Sequence, residues 1–265
     1  MASPVFSSSN SAFKPGATIN QDGSTVTAED LQSQFDAPSA TATDMGRMTY
    51  EGVTTKAAGM IVLAFIAAIP GYLFPSTAGL MISGLAGFVL AMVLVFQRTT
   101  NPVLAMIYAG VEGYFLGALS IYIETGFDVP GAAMQALLAT AVTSGVCLYL
   151  YRTGKVRYTS KMRKILIIGG ISYLLFSLVN LGVMIFGGTD SAWGLRSGWL
   201  GVAIGLVAVG LACISLIADF DFIENGVKRG IPQKYEWTAA FGLVVTLVWM
   251  YTEFLRLIAI LQGRD

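Results

Sequence analysis

Histidine is absent from the chain, and this absence excludes several kinds of active site. Without an imidazole there is no Ser-His-Asp or Cys-His catalytic unit, no histidine-ligated zinc and no imidazole proton relay. Any proton transfer must therefore use carboxylates. The sequence also lacks a glycine-rich phosphate loop followed by Lys-Ser or Lys-Thr, which argues against nucleotide-driven transport. We predict no enzyme activity and no bound cofactor.

Cysteine is scarce, and charge is scarcer than in a soluble domain. Cys147 and Cys213 both lie inside apolar runs, which indicates neither a disulfide framework nor a cysteine metal site and predicts interior packing. Only 12% of the residues are charged and 55% are hydrophobic, with a mean hydropathy of +0.68. Such a chain is expected to have a lipid bilayer as its solvent. Its formal net charge of zero gives no bias toward nucleic acid.

Residues 1–47 differ from the rest of the chain. They are rich in Ser, Thr, Ala, Asp and Gly and contain few large apolar side chains. Such a segment cannot bury enough apolar surface to offset its ordering entropy. We predict a disordered cytoplasmic tail over 1–47 and a membrane domain over 48–265.

Apolar runs of about 18 to 25 residues recur from Ala57 onward, and each is long enough to cross about 30 Å of hydrocarbon as a helix. Their continuous apolar length favours helices over barrel strands, which alternate apolar and polar residues. The predicted fold is an all-α, polytopic bundle of seven transmembrane helices. The runs cover 57–75, 78–97, 102–123, 131–151, 164–187, 198–221 and 237–261.

Basic residues are distributed unevenly between the two sides of this bundle. Of the 16 Lys and Arg residues, all but Arg196, Arg256 and Arg264 fall on the side of the N-terminal tail. By the positive-inside rule that side is cytoplasmic, so the C-terminus is predicted to be external. Short loops and the lack of obvious targeting elements favour a bacterial inner membrane. The basic side holds Lys14, Arg47, Lys56, Arg98, Arg152, Lys155, Arg157, Lys161, Arg163, Lys164, Lys228, Arg229 and Lys234.

Small residues recur at a spacing of four in two predicted spans. Gly113 and Gly117 form one pair, and Gly201 and Gly205 form the other. Small-xxx-small pairs allow helix backbones to approach closely. We interpret them as ordinary helix packing within one chain rather than as a dimer contact.

Ionisable residues within the spans are the strongest functional signal. Each costs about 2.5 to 3.5 kcal/mol at the membrane centre on insertion scales, so it must face protein or water. Five residues fall in this class: Glu112, Asp219, Asp221, Glu253 and Arg256.

Asp219 and Asp221 are predicted to have different surroundings. Two residues correspond to about 200° around a helix, so the two side chains cannot face the same interior. Asp221 shares a face with Glu224, which suits a solvated vestibule or a helix-end surface. Asp219 lies further inward and is the candidate gate, pH sensor and weak calcium contact. Arg98, at the cytoplasmic end of the second span, is the candidate partner that closes the path by pairing with Asp219.

The seventh span offers a second set of polar residues. Glu253 and Arg256 are spaced i, i+3, which allows a self-contained ion pair. Thr246 lies two turns before Glu253 on the same face, which also fits a polar path along the helix. Glu112 lies about 16 Å into the third span, and no basic residue on that span is one turn away. A role in the ion pathway and a protonated, hydrogen-bonded carboxyl both remain open for Glu112.

Several segments resemble the Bax inhibitor-1 family in motif and order, over residues 48–262. Glu112-Gly113-x-x-Leu116-Gly117 is similar to the family's Glu-Gly-x-x-x-Gly signature. In the sixth span, residues 218–223 resemble its Tyr-Asp-Thr-Gln-x-Ile segment, with Asp219 on the aspartate. In the seventh span, residues 251–257 resemble the closing Leu-Tyr-Leu-Leu-Arg-Ile-Leu stretch. Tyr50, Val53 and Lys56-Ala57 resemble the entry to the first span in a bacterial branch of the family with longer N-terminal tails.

The resemblance implies seven helices, with six surrounding a hydrophobic last helix. It also implies a calcium leak that responds to pH through an aspartate pair on the sixth and seventh helices. Alignment on Arg256 places Thr246 where the second aspartate is expected, so the pair is incomplete here. Glu253 lies on the same face and is a candidate substitute, about 10 Å further along the helix.

Three functions are consistent with the sequence. The first is a passive leak for Ca²⁺ or another cation, since a sparse set of carboxylates binds calcium weakly enough to release it. A secondary transporter is the second, although neither repeated halves nor broken helices are visible. The third is a non-conducting regulator of membrane proteases or stress proteins. Thr246 and the absence of a Gly-x-Gly-Asp segment argue against an intramembrane aspartyl protease.

Overall fold

The fold was analysed in a computed structural model, which describes Ala42 and residues 45–96, 100–187 and 193–263. All seven helices in these ranges are long and apolar enough to cross a membrane. The predicted all-α polytopic bundle is confirmed, and the chain is a multi-pass membrane protein. The helices are α1 (Tyr50–Leu73), α2 (Thr77–Phe96), α3 (Pro102–Gly126), α4 (Ala132–Arg152), α5 (Ser160–Ile185), α6 (Gly198–Arg229) and α7 (Tyr235–Gln262).

Two helices extend well beyond the predicted spans. Helix α1 begins seven residues before 57, where the Thr49 side chain caps it by accepting a hydrogen bond from Gly52 N at 2.9 Å. Helix α6 continues eight residues beyond 221 and ends at Arg229, which is followed by Gly230 with a left-handed φ of 61°. At about 1.5 Å per residue, α6 is about 48 Å long and exceeds the hydrocarbon thickness. Hydropathy identifies only the residues of a helix that lie in hydrocarbon. The predicted spans therefore omitted the polar ends of these two helices.

Helix α7 lies at the centre of the bundle. It packs extensively against α1, α3, α4 and α6, whereas α2 packs chiefly on α3, and α5 chiefly on α6. The resemblance implies that six helices surround α7, but only these four pack extensively against it. The α5 span is apolar on nearly all sides, and Asn180 is its one buried residue. Lipid can solvate such a surface, so α5 need not be buried in protein.

The first pair of spaced glycines brings α3 against α1. A Cβ atom at Gly113 would overlap the carbonyl oxygen of Ala64, and one at Gly117 would overlap that of Ala68. The predicted close backbone approach is therefore present. The second pair behaves differently: Gly205 packs under Leu257 of α7, whereas Gly201 lies against the backbone of the loop before its own helix.

Two buried carboxylates, Glu236 and Glu124, connect helix ends, and no local sequence pattern indicates these contacts. Glu236, fully buried at the start of α7, accepts hydrogen bonds from Thr49 N at 2.9 Å and Thr49 Oγ1 at 3.1 Å. It also forms an ion pair with Lys56. At the other end of the bundle, Glu124 accepts from Tyr72 OH and from Ala133 N, each at 2.8 Å. Both carboxylates lie at a helix N-terminus, where the dipole favours negative charge.

The α1–α3 contact generates a stability prediction. We expect Gly117→Ala to lower the midpoint of thermal unfolding in detergent, because overpacking costs about 1–3 kcal/mol. Alanine is the better helix former by about 1 kcal/mol, so propensity alone predicts the opposite sign. Gly110→Ala is the matched control, because a Cβ at Gly110 meets nothing within 4 Å. A midpoint for Gly117→Ala at or above that of Gly110→Ala would contradict the packing.

Candidate functional site

Asp219 lies in a small polar site between α6 and α7, which we call the α6–α7 seam and define by Ser215, Asp219, Gly242 and Thr246. Thr246 Oγ1 donates a hydrogen bond to Asp219 Oδ2 at 2.7 Å. The Ser215 and Thr246 hydroxyl oxygens lie 3.2 Å apart. A Cβ at Gly242 would lie 3.1 Å from Asp219 Oδ1, so the glycine allows the carboxylate to lie against α7. Thr246, which occupies the position where the resemblance implies a second aspartate, is thus in direct contact with Asp219.

The seam lies well inside the bundle. We call the end where α1 begins the basic end. Asp219 is ten residues before the end of α6 and Thr246 is eleven residues after the start of α7, which places both about 15–17 Å from the basic end. Thr246 is buried and Asp219 is half-buried. A carboxylate at this depth requires a proton, water or a cation.

No ion pair among the described residues involves Asp219, since the four that are present use Glu224, Glu236 and Glu253. Its hydrogen bond from a neutral hydroxyl supplies a dipole but no compensating charge. Arg98, the predicted partner, lies outside the described residues, so that pairing stays a prediction. Helix α2, which precedes Arg98, packs on α3, whereas Asp219 faces α7.

Asp221 does not join Asp219 in the seam. Its carboxylate accepts a hydrogen bond from Asn225 Nδ2 of the same helix at 2.9 Å. Glu224, one turn further, accepts from Tyr151 and from Arg157 NH1, the latter at 2.9 Å, and pairs with Lys228. Asp221 thus belongs to the polar surroundings of the basic end.

Glu112 lies against a different neighbour from Asp219. Its carboxyl group lies so close to Gly87 of α2 that a Cβ there would overlap Oε2. Glu112 is half-buried, and its position about 15 Å along α3 gives it nearly the depth of Asp219. The two carboxylates nevertheless point to different helices, α2 and α7. The structure does not bring them together into one site.

Glu253 is neutralised by neighbouring groups. It forms an ion pair with Arg256, and both side chains are buried. It also accepts a hydrogen bond from Tyr173 OH of α5. Seven residues separate it from Thr246, about 10 Å along α7. Glu253 therefore does not contribute a free carboxylate to the seam.

Sequence reasoning missed two further residues, Tyr173, which contacts Glu253, and Arg196, which contacts Tyr173. Arg196 NH1 donates to Tyr173 OH at 2.9 Å, and Arg256 NH1 donates to the same oxygen at 3.3 Å. We call Tyr173, Arg196, Glu253 and Arg256 the arginine cluster. Tyr173 could have been noticed as a hydroxyl near the middle of an apolar span. Arg196 precedes α6, and nothing in its local sequence indicates that it turns inward.

Other parts of the bundle offer fewer ligands for a cation. A groove of about 670 Å³ between α1, α3, α4 and α7 has no charged side chain in its lining. Within the described ranges, no three His, Cys, Asp or Glu side chains are grouped closely enough to hold a metal ion. A cation in the seam would therefore depend on one carboxylate, hydroxyl groups and water.

Comparison with known proteins agrees with this architecture. A family model described as Bax inhibitor 1 like matches residues 3–263, nearly the whole chain. A search of curated proteins gives no match. The matched range includes all seven helices, both carboxylates Glu112 and Asp219, and the Glu253–Arg256 pair. The chain therefore belongs to the Bax inhibitor-1-like family of membrane proteins.

Proposed function

We propose that the protein is a passive leak for Ca²⁺ or another cation, with its path along the α6–α7 seam. The observation that carries this proposal is the placement of Asp219. It is an intramembrane carboxylate held by Thr246 and without a described basic partner, whereas Glu253 is neutralised by Arg256. A permeant cation supplies the charge that such a carboxylate lacks.

The chemistry of the seam suits weak binding. Calcium prefers about six to eight oxygen ligands, and carboxylate oxygens are among the strongest. The seam offers the carboxylate of Asp219 and the hydroxyls of Ser215 and Thr246, so water would have to complete the shell. A sparse ligand set of this kind allows a cation to enter and to leave, as conduction requires.

The pH response is proposed to depend on a single carboxylate. Protonation of Asp219 removes the negative charge from the seam, whereas Thr246 does not titrate in the physiological range. Arg98 is proposed to pair with ionised Asp219 when the path is closed, so protonation releases it. Acid and Asp219→Asn then change conduction in the same direction.

The basic end is proposed to face the cytoplasm of a bacterial cell. The described basic residues outside the bundle centre lie at that end, apart from Arg196. The positive-inside rule then places the C-terminus outside.

A topology experiment tests this orientation. Reporters fused after Gly154 and Gly230 are expected to read cytoplasmic, because both residues follow helices that end at the basic end. Reporters fused after Gly188 or at the C-terminus are expected to read external. A C-terminus found inside would contradict the assignment.

Flux measurements test the role of Asp219. Purified wild-type protein in liposomes is expected to admit calcium without ATP or a counter-ion gradient, and the flux should change between about pH 5 and pH 8. Asp219→Asn is expected to make the flux nearly independent of pH, because it removes the titrating charge. Asp221→Asn is the matched control, since it lies on the same helix but bonds to Asn225 outside the seam.

Two results would count against the proposal. Retained pH dependence in Asp219→Asn would remove Asp219 as the sensor. Wild-type flux no faster than that of protein-free vesicles would favour a non-conducting regulator.

A further inference from the structure

The arginine cluster contains two guanidinium groups that share one hydrogen-bond acceptor. Arg196 and Arg256 both donate to the phenol oxygen of Tyr173, at 2.9 and 3.3 Å. Tyr173 in turn donates to Glu253. Two like charges are therefore held near one oxygen, with Arg256 buried and Arg196 half-buried.

The charges of the cluster do not balance. Glu253 pairs with Arg256, and no ion pair in the described part of the chain includes Arg196. The two guanidinium groups and one carboxylate leave one positive charge. Arg256 is only 6% exposed and Glu253 only 4%. Arg196, which carries the unpaired charge, is half-buried, and its guanidinium lies against Tyr173, which contacts both of these buried side chains. An uncompensated charge beside such buried groups is unfavourable, so a counter-charge is expected.

Hydrogen-bond donors are also in excess. The Nε atoms of Arg196 and Arg256 and the Nε1 atom of Trp249 are buried and have no acceptor among the described residues. The Trp249 ring lies 5.7 Å from that of Tyr173, so all three donors belong to the same region. Buried donors are nearly always paired, and each unpaired one costs about 1–3 kcal/mol. An acceptor that carries negative charge would satisfy both deficits.

The loop before α6 holds Arg196 in this position. Asn180 of α5, itself buried, accepts from Leu195 N at 2.6 Å and donates to Trp193 O at 3.3 Å. The Arg196 guanidinium lies 4.7 Å from the centre of the Tyr173 ring, and it also donates to Ser177. An arginine near a membrane surface usually extends toward water. Here the loop and the aromatic ring direct it inward instead.

We propose that the arginine cluster is a binding site for one small monovalent anion of the halide class, held between Arg196 and Arg256. A single negative charge matches the single excess positive charge, and a halide accepts several N–H donors without directional demands. The burial of Arg256 favours a small ion over a lipid headgroup. This site is separate from the α6–α7 seam and does not depend on cation conduction.

Thermal unfolding of the delipidated protein in detergent tests the proposal. Chloride is expected to raise the unfolding midpoint relative to gluconate at equal ionic strength. Above the dissociation constant, each tenfold increase in chloride should raise it by about 2–4 °C. Arg196→Gln is expected to abolish the difference between the two anions. Arg157→Gln is the matched control and should retain it, because Arg157 is an exposed arginine that pairs with Glu224 at the basic end.

Crystals of the wild-type protein grown in bromide provide a test that does not require a stable variant. An anomalous peak within hydrogen-bond distance of both guanidinium groups would support the site. The proposal is overturned if no peak appears there, or if the chloride effect persists in Arg196→Gln. A peak replaced by lipid phosphate density would also overturn it, because the bound group would not be a halide.

Discussion

A charged side chain within hydrocarbon must be neutralised, hydrated or bound to an ion, and this constraint distinguishes the ionisable residues of the bundle. Glu236 meets it through Lys56 and the N-terminus of α1. Glu253 meets it through Arg256 and Tyr173. Asp219 receives only a hydroxyl hydrogen bond within the described residues. The same requirement makes Glu236 and Glu253 structural, whereas Asp219, like Glu112, has no ion-pair partner among the described residues.

Close packing around α7 gives Asp219 its surroundings. Glycines without side chains allow α3 to contact α1 and allow the Asp219 carboxylate to lie against α7 at Gly242. Four helices pack on α7, so the face of α7 that carries Thr246 is buried. The arginine cluster lies about 10 Å further along the helix, at the level of Glu253. The two polar sites of α7 thus differ in the sign of their charge. The seam has a carboxylate without an ion-pair partner among the described residues, and the arginine cluster has two guanidinium groups for one carboxylate.

The sequence predicted those features that depend on residues near one another in the chain. Hydropathy over about 20 residues identified all seven spans, and the i, i+3 spacing indicated the Glu253–Arg256 pair. The angle between Asp219 and Asp221 followed from helix geometry in the same way. Contacts between distant segments were not visible: Tyr173 and Glu253 are 80 residues apart, and Thr49 and Glu236 are 187 apart. These contacts depend on how the helices pack, and no local pattern in a single sequence indicates that packing.

Water and cations are proposed to reach the α6–α7 seam, and the reactivity of position 215 toward an aqueous reagent is the direct test of that path. In a protein whose Cys147 and Cys213 are replaced by alanine, Ser215→Cys should react with a membrane-impermeant, positively charged thiosulfonate. Val207→Cys is the matched control, because Val207 is 64% exposed on the outer surface of the same helix, where lipid would cover it. We expect Ser215→Cys to be modified from the aqueous phase and Val207→Cys to remain unmodified. Equal inertness at both positions, in protein that still conducts calcium, would contradict a path along the seam.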